Sequence, residues 1–296
     1  MIESNILSDE LTEFPEDDVT VNPAKASNED IDHVVEILDG YGSMLSKEQL
    51  DFAAMSGTEA YSITTLKLHG FQGSESWVDT LKSSGEAAYK AIIETLKKIK
   101  EYFFGDGKKA AEEADKKAVE SLESLSKMDM EAPIKEESKL TNPLTYFKGI
   151  GESVELENLM KKYPALGTAI ENCKAAASRV SNAKTVGQLG AVYTEMRKKA
   201  AEASKAVTTV LEQSVKAAEQ SAEKMRKGPS VSEDATSEIQ QAAKAEQKEA
   251  VDTAKEETKG TKLLGSIRTK ITGMLNAISN NANSVKPETK ESEFKG

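Results

Sequence analysis

The residues here that could do chemistry are two histidines, one cysteine and many carboxylates. His33 follows Glu29 by four positions on a predicted helix, a spacing that puts both side chains on one face. Two such groups could chelate a metal, but two ligands do not make a site, and no second His-rich segment supplies more. A surface helix pair is the reading adopted. Cys173 sits in Ile170-Glu171-Asn172-Cys173-Lys174 with no histidine near it, which suits a small helix-packing residue. Gly105 and Gly107 form half of a phosphate loop, but no Gly-Lys-Ser/Thr follows and no apolar strand precedes; Gly149 and Gly151 fail the same test. Close carboxylate pairs abound because the chain holds 50 acids, and general acid–base work needs a pocket that shifts their pKa values. No catalytic set, metal site or cofactor site is expected.

The elements that would have to position such groups are helices built from small side chains. Of 296 residues, 38% are hydrophobic and 5% aromatic, below the usual apolar share of a globular chain. No aromatic falls between Tyr193 and Phe294, so the last third cannot form a core around rings and is expected to be elongated helix or partly disordered. The net charge of −11 opposes whole-surface nucleic-acid binding. A single cysteine precludes an internal disulfide. No apolar run is long enough for a transmembrane helix, and the acidic start MIESNILSDELTEFPEDD lacks the form of a secretory signal.

Apolar spacing and breakers divide the chain. Residues 1–27 form an acidic arm expected to be disordered. Residues 28–127 form the folded helical region. Its first helix begins near Ser27 or Asn28, carries Ile31, Val34, Val35 and Leu38 on one face, and is expected to end at Asp39-Gly40-Tyr41-Gly42. A short helix is expected over 46–55, and Tyr61 to Leu68 reads as helix or extended connector. Trp77, Leu81, Ala88, Ile92, Leu96, Ile99 and Phe103 share a helical stripe, Phe104 to Gly107 breaks or kinks the run, and a charged helix resumes with Ala118, Leu122 and Leu125 as its apolar line. Residues 128–164, with Pro133, Pro143, Gly149, Gly151 and Pro164, read as a hinge.

The clearest pattern lies in the long helices of 165–228. Val186, Leu189, Tyr193, Met196, Ala200, Ala203, Val207 and Val210 alternate in steps of three and four, a coiled-coil seam. The line then moves to Leu211, Val215, Ala218, Ala222 and Met225, as at a stutter. This seam calls for a partner helix in the same chain or in another copy. Gly228-Pro229 stops it. Residues 229–259 read as a polar helix or linker without an adequate apolar face. Residues 260–284 form a basic amphipathic helix, with Leu264, Ile267, Ile271, Met274, Leu275 and Ile278 on one face and Arg268 and Lys270 among its cations; 285–296 read as a tail. This helix and the run Ala87 to Phe104 both match interfacial helices in composition. Core packing is favoured for the run, while the basic helix suits a partner protein or an anionic membrane surface. Lys174, Arg179, Lys184, Arg197, Lys198, Lys199 and Lys205 make a moderately basic patch, but no stacking aromatics are interleaved, so no specific nucleic-acid partner is expected.

An acidic arm, a helical region and a long Ala/Lys/Glu tract together resemble the internal head, core and scaffolding proteins of tailed bacteriophages. The triplet Ser153-Val154-Glu155 looks like a head-protease site. The Ala/Lys/Glu/Thr tract also looks like that of desiccation-protective helical proteins, whose repeats the Trp77 region does not fit. The expected fold is all-α: an elongated protein with a small N-terminal helical region and long helices with coiled-coil-like packing. The phage resemblance implies a non-enzymatic structural or assembly protein of the virion or host cytoplasm, working by self-association or with protein partners. The alternative is a peripheral membrane protein that inserts an amphipathic helix.

Overall fold

Side-chain caps and glycines set the helix boundaries. In the computed structural model, which describes residues 23–46, 57–71, 76–138, 140–147, 153–228 and 230–287, the helices are α1 (Pro23–Leu45), α2 (Thr58–Leu68), α3 (Trp77–Glu101), α4 (Gly107–Leu125), α5 (Val154–Lys162), α6 (Pro164–Ser178), α7 (Val186–Lys227) and α8 (Ser237–Ser284). A π turn, Tyr102–Asp106, joins α3 to α4, and short 3₁₀ turns lie at Pro143–Phe147 and Val180–Asn182. Ser76, Ser153 and Thr185 each accept a hydrogen bond from the backbone N–H three residues on, at 3.3 Å, and so cap α3, α5 and α7. Pro164 opens α6, where its missing N–H costs nothing. Gly228, at φ 60°, ends α7 in a conformation that disfavours side chains.

The protein is all-α; among the described residues the only β pairing is two isolated bridges, Pro133 with Thr185 and Ile134 with Pro287. One apolar core runs through the helices. Helix α7 packs against α3, α4, α6 and α8, and α8 also packs against α1 and α4. The core of the last third is made of Ala, Val, Leu, Ile and Met with Tyr193, so close helix approach replaces aromatic bulk.

Two glycines mark the tightest approaches. A Cβ at Gly40 would lie 2.4 Å from the Thr58 carbonyl oxygen, and one at Gly85 would lie 2.0 Å from that of Met225. This corrects the expected end of the first helix. Gly40 and Gly42 lie inside α1, and Gly40 lets α2 seat on it. Beside the second crossing, Gln247 Nε2 donates to Met225 O (2.9 Å) and to Tyr41 Oη (3.2 Å), and Tyr41 Oη is hydrogen-bonded to Ser84 Oγ at 2.9 Å. This buried network ties α1, α3, α7 and α8, and sliding any of them by a turn would break it.

Three further expectations change. Helix α1 begins at Pro23, so the last part of the supposed arm is helical; residues 1–22 lie outside the described residues, as does the helix expected over 46–55 apart from Ser46. The polar stretch and the basic helix are one 48-residue helix, α8. Its polar half is neither solvated all round nor disordered, because Ala243, Gln247, Ala250, Val251 and Ala254 form a buried line. Residues 129–138, read as part of a hinge, act as a clip. Val186 N–H and Gly187 N–H, at the start of α7, donate to Ala132 O (3.1 Å) and Met130 O (2.9 Å). Ile134 N–H donates to Lys184 O and Lys135 N–H to Lys286 O, both at 3.0 Å. Asn281 of α8 then exchanges two 2.8 Å hydrogen bonds with the backbone of Thr141.

Candidate functional site

The π turn creates the most distinctive site of the molecule. Gly105 departs from helical geometry at φ −100° and ψ −105°. Gly107 N–H bonds Tyr102 O, five residues back, so Phe103 O loses the partner a regular α-helix would give it. Arg268 of α8 supplies that partner. Its Nη1 donates to Phe103 O, its Nη2 donates to Thr208 Oγ1 at 3.0 Å, and the guanidinium stands 4.8 Å from the Phe103 ring centroid. Arg268 is 7% exposed, and no carboxylate pairs with it among the described residues. Burial lowers its pKa from the ordinary guanidinium value, which leaves it a cation at neutral pH.

Arg268 lines a cavity of about 770 Å³ between α4, α7, α8 and the π turn. Phe103, Phe104, Ala111, Ala201 and Leu275 supply its apolar surface, and Phe104 is 43% exposed. Its charged lining consists of Lys108, Lys116, Lys205 and Arg268 against Glu112, Asp115 and Glu212, four cations to three anions. Asp115 is held by Arg197 through two bonds of 2.7 and 2.8 Å, and this pairing raises the Arg197 pKa. Lys108 lies 3.7 Å from Glu112.

The sequence-predicted residues lie elsewhere or inward. Val186, Leu189, Tyr193, Met196, Val207, Val210, Leu211 and Val215 are all buried within the chain. Of the two partners open to the seam, helices of the same chain occupy it. Both the heptad line and its shifted continuation are buried, because α7 is covered on more than one side. Leu264, Ile267, Ile271, Met274, Leu275 and Ile278 are likewise core residues, and Arg268 joins them. Lys270 is half-buried, and burial lowers its pKa. The apolar face offered to a partner or membrane is therefore covered by the chain's own helices. The run Ala87 to Phe104 packs into the core as expected through Ala87, Ala88, Ala91, Ile92, Leu96, Ile99 and Phe103.

His33 Nδ1 is hydrogen-bonded to Tyr61 Oη at 2.5 Å, with the two rings edge to face, so its partner is on α2 rather than Glu29. Among the described residues no three His, Cys, Asp or Glu side chains are grouped to hold a metal. Cys173 is fully buried, and burial pushes its thiol up to about 12. Gly149 and Gly151 lie outside the described residues. In the basic patch, Lys174, Arg179, Arg197 and Lys199 are each paired with a carboxylate. Ser153 of the protease-like triplet is the cap of α5, and Val154 is 66% exposed. No described helix is long and apolar enough to cross a membrane.

Sequence reasoning placed Arg268 on a partner face and missed the cavity. The only signal was a lone arginine amid apolar residues of a helix and, 165 residues away, a Phe-Phe-Gly-Asp-Gly kink whose carbonyl it would seek. Comparison of the chain with known protein families, with curated proteins and with solved structures found no match to any of them.

Proposed function

We propose that the chain is a non-enzymatic structural protein that takes part in assembly by laying its helices against protein partners or further copies of itself. The observation that supports this most is the packing of a 42-residue helix along a 48-residue helix in one core. At 1.5 Å per residue such helices run about 60–70 Å, a stiff length with charged side chains along its outside. Buried polar and ionisable groups serve the packing. Tyr41 joins Ser84 and Gln247, and the buried Glu257 holds Lys162 across α5 and α8 at 2.5 Å. The resemblance to internal head proteins of tailed phages suggests the interior of a virion as the setting.

The rival reading, insertion of the helix around residue 270 into a membrane, draws no support from the fold, because that face would first have to leave the core. Size exclusion with light scattering of the full chain, from micromolar to millimolar concentration, tests the assembly reading. The expected result is a molar mass rising above the 32.0 kDa of one chain. A constant mass at that value, at low and moderate salt alike, would overturn self-association.

A further inference from the structure

We infer that the cavity at the π turn is a binding site for a single-chain amphipathic carboxylate, its carboxylate meeting Arg268 and its alkyl chain lying along Phe103, Phe104, Ala201 and Leu275. Three observations converge on this class of ligand. First, Arg268 is a buried guanidinium whose hydrogen bonds go to two neutral oxygens, Phe103 O and Thr208 Oγ1. A buried cation without an anion carries a large desolvation cost, which an incoming carboxylate offsets. Second, the lining holds four cations and three anions, an excess of one positive charge. Asp115 is already held by Arg197, Lys108 lies near Glu112 and Lys116 lies 3.9 Å from Glu120, which leaves Lys205 and Arg268 facing Glu212, again one cation in excess. The balance suits a monoanion and disfavours a dianionic phosphate, which Glu112 and Glu212 would repel. Third, the space of about 770 Å³ is within the range of small-molecule pockets, and its aromatic and aliphatic walls would bury a chain rather than a sugar.

The π turn is central to the arrangement. It releases the Phe103 carbonyl that holds one end of the guanidinium, which fixes the fork before the ligand arrives. This inference is independent of the assembly reading.

The test is isothermal titration of the full chain with decanoate, with decanol as the uncharged chain of equal length. One-to-one binding of decanoate is expected, tighter than decanol by roughly tenfold, the difference made by one charge-assisted pair. Arg268→Met keeps the apolar stem and should abolish that preference. Ala201→Trp projects a ring into the cavity from an exposed wall and should weaken both ligands without touching Arg268. Because Arg268→Met could fail to fold, circular dichroism accompanies it, and the wild-type comparison and Ala201→Trp stand without it. Absence of saturable decanoate binding, equal binding of acid and alcohol, or full binding by Ala201→Trp would each overturn the inference.

Discussion

Leu211→Asp separates a core seam from an assembly seam. Leu211 is 0% exposed and lies on α7 where that helix is covered on more than one side. Removing the leucine forfeits about 2–5 kcal/mol, the range for a large-to-small change in a packed core. A carboxylate in its place adds several kcal/mol more, because it must be desolvated or take up a proton. The sum is comparable to the whole stability of an ordinary protein, about 5–15 kcal/mol. Urea unfolding followed by far-ultraviolet circular dichroism should therefore show Leu211→Asp unfolded or with its midpoint greatly reduced. Leu211→Ala should remain folded but weakened, and Val154→Asp, at a residue 66% exposed, should change stability by about 0.5 kcal/mol or less. Burial raises the pKa of the introduced carboxyl, so the variant should be least impaired at low pH and lose stability as pH rises through that raised value. A Leu211→Asp protein with the wild-type midpoint but a smaller molar mass would refute the reasoning, for it would put the seam between chains.

Alkaline unfolding should begin early. Tyr41 and Tyr193 have pKa values raised by burial, so their contribution is complete below pH ~10, the unfolded value, and is lost above it at about 1.4 kcal/mol per pH unit each. Cys173, pushed up to about 12, adds the same slope from pH ~8.5, and Cys173→Ala should remove that portion in denaturant melts at graded pH. The same burial predicts that a thiol reagent labels Cys173 only as the chain unfolds; rapid labelling of native protein would contradict it. Gly85→Ala should cost about 1–3 kcal/mol by urea unfolding, since its Cβ would meet the Met225 carbonyl and push α3 from α7. Flotation with anionic vesicles should recover no folded protein, and salt-sensitive binding without loss of helix packing would count against the core position of α8.

The sequence made some of this legible and hid the rest for physical reasons. The stripe from Trp77 to Phe103 and the three-four spacing of α7 predicted both helices and their buried faces, because burial of one face dictates apolar period. The same spacing could not choose a partner, since helices from one chain or two fill a seam equally. Gly40 and Gly42 resembled breakers because a glycine that ends a helix and one that admits a neighbour look alike until the neighbour is placed. The polar half of α8 looked solvated because its buried line is mostly alanine with Gln247, a face too thin for hydropathy to register. Arg268 was misplaced for a related reason. Its partners, Phe103 O and Thr208 Oγ1, come from elements 165 and 60 residues away.

The packing of α1 against α8 also bears on how the molecule comes into being. Asp32 meets Lys262 across 230 residues, and Gly42 packs beside Val251. During synthesis at about 5–20 residues per second, α1 emerges roughly 12–46 s before the helix that covers it. Over that interval Ile31, Val34, Ile37, Leu38 and Tyr41 lack the complete surroundings that bury them in the finished protein. The nascent chain is thus exposed to chaperones and proteases until α8 is released, and the docking of α1 on α8 comes late because synthesis separates the two.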